Sequence, residues 1–501
     1  MTSRATPDLP AAALDALRQA YRAALADLID PQDEAERLER AFQAVVAADD
    51  AGVLEPEAEG VSLGLFLRLA ALDEADRRFP FADVGRRLAL RGEHRSLLFQ
   101  LPRAQRDAGR RDLLDQHRAW GEGAEARAAS HPVRSAPRPK RSRPRVGLVS
   151  SDLRIHVVGA FADPLIDGAE AAGVELFCYS AYPGPADGFQ QHAAARAAAF
   201  RHLPGAAPTA LAQAIAADAP DILIEIGGST NHNQLEAMAH RLAPLQASWL
   251  GYPHSVGLDT IDALVLDPHI APTAPGLILE RPLLMPTSWI AMSPGYFRED
   301  LPLAAKLPLD RKGVVTFGSA GSPYKYSAAT LDAWARVLAA VPRSRFLFVR
   351  PEGGSATFRR NIAERFARRG VDPDRLDFAA VRNAHLPYYG EIDIALDTFP
   401  LTGGMTTCEA LWMGAPVVTL AGKSVHERLS HSLLTNVGLA DLSTETLEAF
   451  VARATALASE PERLRRWRAE GRRTIVEGPL GDLAQFAGDF FRLVTGALDA
   501  G

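Results

Sequence analysis

Between Asp393 and Leu442 the chain leaves itself few ways to fold. The run reads DIALDTFPLTGGMTTCEALWMGAPVVTLAGKSVHERLSHSLLTNVGLADL. Asp393–Asp397 is an apolar run of buried-strand length, and Thr398–Gly404 breaks it with Pro400 and the Gly403-Gly404 pair. A helix then starts at Met405–Thr407, and Pro416–Leu420 is the next buried strand. Strand, glycine turn, helix and strand in that order form a parallel unit, and ligands sit at the carboxyl ends of such strands. The first turn of the helix carries unpaired N–H groups and the hydroxyls of Thr406 and Thr407, which suit a phosphate at the positive end of the helix dipole. Taken alone, a glycine pair before a helix is equally well a tight turn with a capped helix.

The same alternation runs through most of the chain. From Arg145 the spacing predicts strands at Val146–Ser150, Val174–Tyr179, Ile222–Ile226, Ala247–Leu250 and Ala263–Leu266, with helices at Ala160–Ala171, Pro208–Ala217 and Asn233–Arg241. A second series predicts strands at Val314–Ser319, Arg345–Val349, Leu376–Phe378, Ile394–Asp397 and Val417–Leu420. The expected fold class is therefore α/β, with two doubly wound lobes, 145–292 and 293–480, facing one cleft. A last helix, Leu480–Leu498, has the position to fold back onto the first lobe. Residues 1–130 read as helices only, at Ala11–Ile29, Glu34–Ala48, Val61–Asp76 and Arg110–Ala129, with no tetratricopeptide period. This region is either a surface for a protein partner or a stabilising cap on the lobes. His131–Pro144, with four prolines among Arg and Lys, reads as an extended linker.

Composition excludes more than it assigns. The chain has 501 residues, 47% hydrophobic and 23% charged, enough for about three domains. A net charge of −6 gives no global reason to bind nucleic acid or an anionic membrane, and no aromatic residue interleaves the basic linker. No signal peptide and no bilayer-length apolar run are expected, so the chain reads as cytoplasmic, without membrane insertion. The two cysteines, Cys178 and Cys408, lie in apolar elements and read as reduced core residues. No His/Cys/Asp cluster has metal-ligand spacing along the sequence, and a proline turn accounts for Asp372-Pro373-Asp374.

Several separate words carry a resemblance. The run Gly403-Gly404-Met405-Thr406-Thr407 through Gly414-Ala415-Pro416 resembles the diphosphate-binding segment of the O-linked N-acetylglucosamine transferase (SPINDLY-like) family, above all its bacterial branch. Val425-His426-Glu427-Arg428 is similar to a segment of the adhesin N-glucosyltransferases. Trp249-Leu250-Gly251-Tyr252-Pro253 matches a further family word, Ser150-Ser151-Asp152-Leu153-Arg154-Ile155-His156 resembles the Ser-Asp-x-x-x-His loop, and Phe317–Lys325 resembles the loop that ends in a diphosphate-contacting Lys. The resemblance covers roughly Arg145 to Leu442. It implies the GT-B fold and an inverting, metal-independent glycosyltransferase that moves a sugar, N-acetylglucosamine or glucose, from a UDP-sugar to a protein side chain, flagellin and adhesins being named acceptors. No cofactor beyond the nucleotide sugar is implied.

Carried over residue by residue, His156 is the acceptor base or a positioning group, and Lys325 stabilises the leaving diphosphate. Ala380 would contact the base through its main chain, Arg382 would stand where relatives have Lys or Arg, and His385 would lie near ribose or base. Ser322, Gly403, Gly404, Met405, Thr406 and Thr407 form the diphosphate cradle. Asp397 would bind ribose hydroxyls or fix the turn. Asp152 reads as a cap, and Glu409 and Trp412 as helix packing. The sequence departs from the family at Gly321-Ser322, at Ser229, where relatives often have His, and at Gly404, opposite a His of animal members. Those departures keep two alternatives open: another donor, such as a CMP-nonulosonic acid for a flagellin, or a non-catalytic nucleotide-binding protein.

Overall fold

Two fully parallel sheets face each other, and their strands follow the apolar runs of the sequence. The computed structural model describes residues 30–138, 141–382 and 384–499, so the helix expected at Ala11–Ile29 lies outside the described residues. In the first lobe β1 (Arg145–Val149), β2 (Glu175–Ser180), β3 (Ala199–His202), β4 (Ile222–Glu225), β5 (Leu245–Ser248), β6 (Ala263–Leu266) and β7 (Arg281–Leu284) form a sheet of order β3-β2-β1-β4-β5-β6-β7. In the second, β8 (Val315–Ser319), β9 (Ser344–Val349), β10 (Leu376–Ala379), β11 (Ile394–Leu396), β12 (Val417–Leu420) and β13 (Ser443–Thr444) take the order β10-β9-β8-β11-β12-β13. In both sheets the order reverses beside the first strand of the lobe, which opens a crevice at the carboxyl ends of the central strands. The central strands are buried along nearly their whole length, as sheets covered by helices on both faces require.

The final helix, Leu483–Asp499, does return to the first lobe. It packs on the helix Val157–Gly168, and Trp249 sits against Phe486 and Phe490 at ring-centroid distances of 6.1 and 4.8 Å.

Before the lobes the described chain is helical, but not divided as the sequence suggested. The helix expected over Val61–Asp76 breaks into Glu59–Arg68 and Leu72–Arg78 at Ala70, whose φ is +52°. A further helix, Phe81–Leu90, has no counterpart in the expectation. This unit touches both lobes. Glu39, on the helix Pro31–Asp50, caps the second-lobe helix Ala356–Ala367 by accepting from Ser355 Oγ at 2.5 Å and Thr357 N at 2.6 Å. The helix Asp107–Ser130 sends Arg110 to Glu427 in the second lobe, at 2.6 Å, and His117 to Tyr252 in the first, at 2.5 Å. The basic linker runs extended along the first lobe, where Arg138 donates to the carbonyls of Pro220 and Leu242 and Arg141 pairs with Asp221 at 3.1 Å. Those arginines serve the fold.

Candidate active site

A cleft of about 540 Å³ lies where the carboxyl ends of the two sheets meet. The first lobe supplies the loops after β1, β4 and β5, and the second supplies those after β8, β10 and β11. Three glycines let the first-lobe loops come together. A Cβ on Gly251 would stand 2.4 Å from Gly227 C, and one on Gly228, at φ +56°, would stand 2.6 Å from Tyr252 N. Leu250 and His232, both in the cleft wall, hold φ of +75° and +61°. Strained backbone of that kind is kept where the surroundings impose it, and it clusters at binding sites.

Lys325, Gly404 and Met405 line the cleft together. Lys325 Nζ donates to Thr402 O at 3.3 Å, so the ammonium reaches across to the turn that starts the helix Met405–Trp412. Burial lowers the Lys325 pKa; the Asp397 carboxylate opposes it, and Arg350, a smaller influence, adds to the lowering. The helix begins as the glycine pair predicts, with its first N–H groups outside the intrahelical ladder.

The rest of the expected cradle is placed differently. Gly403 gives its N–H to Asp397 Oδ1 at 2.9 Å. Thr407, buried, meets Ser430 Oγ at 2.7 Å, and the Thr406 carbonyl accepts from Tyr389 OH at 3.1 Å. Both threonines line a small void behind the turn rather than the main cleft. Asp397 is also behind the turn: it takes Thr398 N at 2.8 Å, Gly403 N, and Thr419 Oγ1 at 2.7 Å. Its carboxylate is occupied in fixing the loop, and burial raises its pKa against those donors.

His385 turns away from the cleft wall and its Nε2 lies 3.0 Å from Glu409 Oε2. Glu409, read as helix packing, is a buried hub that also accepts from Tyr296 OH at 2.5 Å and Tyr389 OH at 3.4 Å. Ser322, half-buried, is not part of the cleft lining and accepts from Arg350 Nη2 at 3.2 Å. Ala380, half-buried, directly follows β10. Arg382 does line the cleft, yet its guanidinium is forked onto Glu34 of the helical unit at 2.7 and 2.6 Å.

On the first-lobe side His156 is the N-cap of the helix Val157–Gly168, with Nδ1 accepting from Val158 N at 3.3 Å. A nitrogen that accepts has its lone pair in the bond, so the ring proton sits on Nε2. Asp152 does not cap a turn. It is 2% exposed, lines the cleft, stands 3.7 Å from His156 Nδ1 and 3.5 Å from Arg154 Nη2, and its Oδ2 has no partner among the described residues. Behind this wall Glu225, at the end of β4, accepts from Gly227 N and Gly228 N, and burial pushes its carboxyl up to about 8.

The helical unit supplies the floor, which sequence reasoning missed. His94 Nε2 donates to Val256 O at 3.0 Å and its Nδ1 meets the Ser229 hydroxyl. His117 Nδ1 donates to Leu113 O at 2.7 Å, which leaves Nε2 to accept from Tyr252 OH. Thus the position where Ser229 departs from the family's histidine has a histidine ring against it from another part of the chain. No sequence signal pointed to it, since the two lie 135 positions apart.

Among the described residues one His/Asp set converges in space, Asp163, Asp167 and His192, brought together from two helices outside the cleft wall. Arg196 already donates to Asp167 Oδ1 there at 3.1 Å. Asp372 caps its own turn, as expected.

Residues 87–280 and 306–490 match the family model described as Glycosyl transferase family 41. The chain is 32% identical over 348 residues to a probable UDP-N-acetylglucosamine--peptide N-acetylglucosaminyltransferase SPINDLY of Petunia hybrida, covering 68% of this chain and 37% of that protein. It is 30% identical over 382 residues to the protein of the same name from Hordeum vulgare, covering 75% and 40%. The chain therefore spans about 40% of the length of these relatives. A solved structure of a lysine-to-methionine mutant of the Thermobaculum terrenum O-GlcNAc transferase is similar over 99% of this chain and 100% of that one, with TM-score 0.67 and 26% identity.

Proposed function

This chain belongs to glycosyl transferase family 41, and from that premise we propose that it moves a sugar, N-acetylglucosamine or glucose, from a UDP-sugar to a protein side chain, inverting the anomeric centre without a metal. One observation carries the reading: a half-buried ammonium and a helix N-terminus from the second lobe share a cleft with the Asp152–His156 loop of the first. Departure of UDP leaves negative charge on a phosphate oxygen, and a fixed ammonium with a helix end can stabilise that charge in place of a metal ion. In a single displacement the acceptor oxygen bonds to the anomeric carbon as the bond to phosphate breaks, and the proton of the acceptor hydroxyl passes to a phosphate oxygen of the departing UDP. With the ring proton on Nε2, His156 serves in this reading as a hydrogen-bond donor that positions donor or acceptor. Arg382 and the main chain at Ala380 hold the nucleoside.

The printed names of the relatives support a UDP-N-acetylglucosamine donor and a peptide acceptor. Flagellins and adhesins are candidate acceptors. We place the reaction in the cytoplasm, in keeping with two buried, unpaired cysteines. Among the described residues no helix is long and apolar enough to cross a membrane. The test is transfer of radiolabelled sugar from UDP-N-acetylglucosamine and from UDP-glucose to protein in the presence of EDTA. Incorporation by the wild-type chain that is abolished by Lys325→Ala is the expected result. Incorporation that survives Lys325→Ala at the wild-type rate, or that EDTA stops, contradicts it.

A further inference from the structure

One cation of the cleft is held from outside the two lobes. Arg382, on the loop after β10, donates Nε to Glu34 Oε2 at 2.7 Å and Nη2 to Glu34 Oε1 at 2.6 Å. Glu34 lies on the helix Pro31–Asp50 and is 1% exposed. Its Oε1 also accepts from Arg68 Nη2 at 2.7 Å, and Arg68 Nε donates to Glu352 Oε1 at 2.7 Å. Glu352, fully buried after β9, stands 3.6 Å from Arg350 Nε, and Arg350 Nη2 donates to Ser322 Oγ at 3.2 Å, three residues before Lys325. One chain of alternating charge, fully buried at Glu34 and Glu352, thus joins the helical unit to two of the second-lobe loops that face the cleft, those after β8 and β10.

The joint between Arg350 and Glu352 has slack. Arg350 Nε and Glu352 Oε2 are both buried without a hydrogen-bond partner among the described residues, and a shift of under about 1 Å would bring them within bonding distance. At the other end, a guanidinium forked onto a carboxylate is fixed in its plane and largely neutralised. That suits an edge contact with an uncharged heterocycle better than contact with a phosphate, which leaves the phosphates to Lys325 and the helix end.

We propose that the helical unit is part of the nucleotide site: Glu34 is a positioning residue that sets Arg382 and, through Arg68, Glu352 and Arg350, the Ser322–Lys325 loop, for a nucleoside diphosphate. This rests on the reading of the cleft as a UDP-sugar site. It gives the helical region a role in the reaction, beyond that of a cap or a platform for partners.

The test is calorimetric titration of the full chain with UDP, for wild type, Glu34→Gln, Arg382→Gln and the double variant, with melting temperature followed in parallel. The Kd of Glu34→Gln rises about tenfold, and the double variant loses less affinity than the product of the two single losses, because part of the Glu34 effect passes through Arg382. A Kd within twofold of wild type, even with a lowered melting temperature, makes Glu34 a structural ion-pair partner and overturns the proposal. Should Glu34→Gln not fold, Glu34→Asp carries the test, since it keeps the charge and withdraws the fork by one methylene. Its Kd rises about threefold or more if the fork positions Arg382, and an unchanged Kd overturns the proposal. If the wild-type chain binds no UDP, the reading of the cleft fails first and this assignment with it.

Discussion

Lys325 and His156 bear on the chemistry one side chain at a time, and each makes a measurable commitment. Removing one preorganised group that faces developing oxyanion charge costs about 10²–10³ in rate, or ~3–4 kcal/mol, so Lys325→Ala lowers kcat by at least about 100-fold. The Lys325 pKa lies below 10.5, lowered by burial and then by Arg350. Since the charged form does the work, the rate falls as pH rises through that lowered pKa, and the alkaline limb sits below the usual lysine range. A pH–kcat profile measures both. For His156, a donor of hydrogen bonds is replaced tolerably by Gln, with a loss of about tenfold and an unchanged acid limb. If the ring were the base, Gln would remove that limb and cost about 10²–10⁴. The second outcome would place the proton on Nδ1, facing Asp152.

The turn between β11 and the helix Met405–Trp412 is the element on which the nucleotide reading depends. Asp397 fixes it through two N–H groups and one hydroxyl. In Asp397→Asn an amide N–H₂ would face one of those donors, so the variant loses ~2–3 kcal/mol of stability in a denaturant titration and weakens UDP binding as the helix end shifts. This element was legible in the sequence because a buried strand, a glycine pair and a helix start each leave a local mark. The sheets were legible for the same reason in their interiors. The strands that were missed, β3, β7 and β13, are all at sheet edges, where a strand needs no continuous apolar run and can carry Arg201 or Pro282. Within the site, the sequence pointed to the right loops but not to which groups they spend on themselves. The threonine hydroxyl of Thr407, the Gly403 N–H and the His385 ring find partners inside the second lobe, and such partners are set by packing across 6 to 24 positions. The His94, His117 and Glu34 contacts were invisible because they join distant parts of the chain.

At the scale of the molecule, the helical unit fastens both lobes, and four buried histidines mark the junction. His94 and His117 come from that unit, His254 from the first lobe and His426 from the second, with ring centroids 4.6 Å apart for His117 and His254 and 5.6 Å for His254 and His426. Burial holds His94 and His254 down to about 3 and His426 to about 4, and it lowers His117 as well. A group whose folded pKa lies below its unfolded value of about 6.5 binds protons more readily when unfolded. Stability therefore falls as pH drops from about 6.5 toward 4, by up to ~1.4 kcal/mol per pH unit for each such ring. Both ring nitrogens of His426 are buried without a partner among the described residues. His426→Phe should keep the fold and flatten the dependence of melting temperature on pH between 6.5 and 4. An unchanged slope would show that His426 does not contribute to it.

The central claim is a UDP site formed by Lys325, Arg382 and the Gly404–Met405 helix end, and calorimetric titration with UDP, CMP and GDP in EDTA tests it most directly. The account predicts that UDP binds, that CMP and GDP do not compete with it, and that Lys325→Ala weakens UDP. Binding of CMP in preference would move the donor to another class, and no binding of any nucleotide would contradict the account outright.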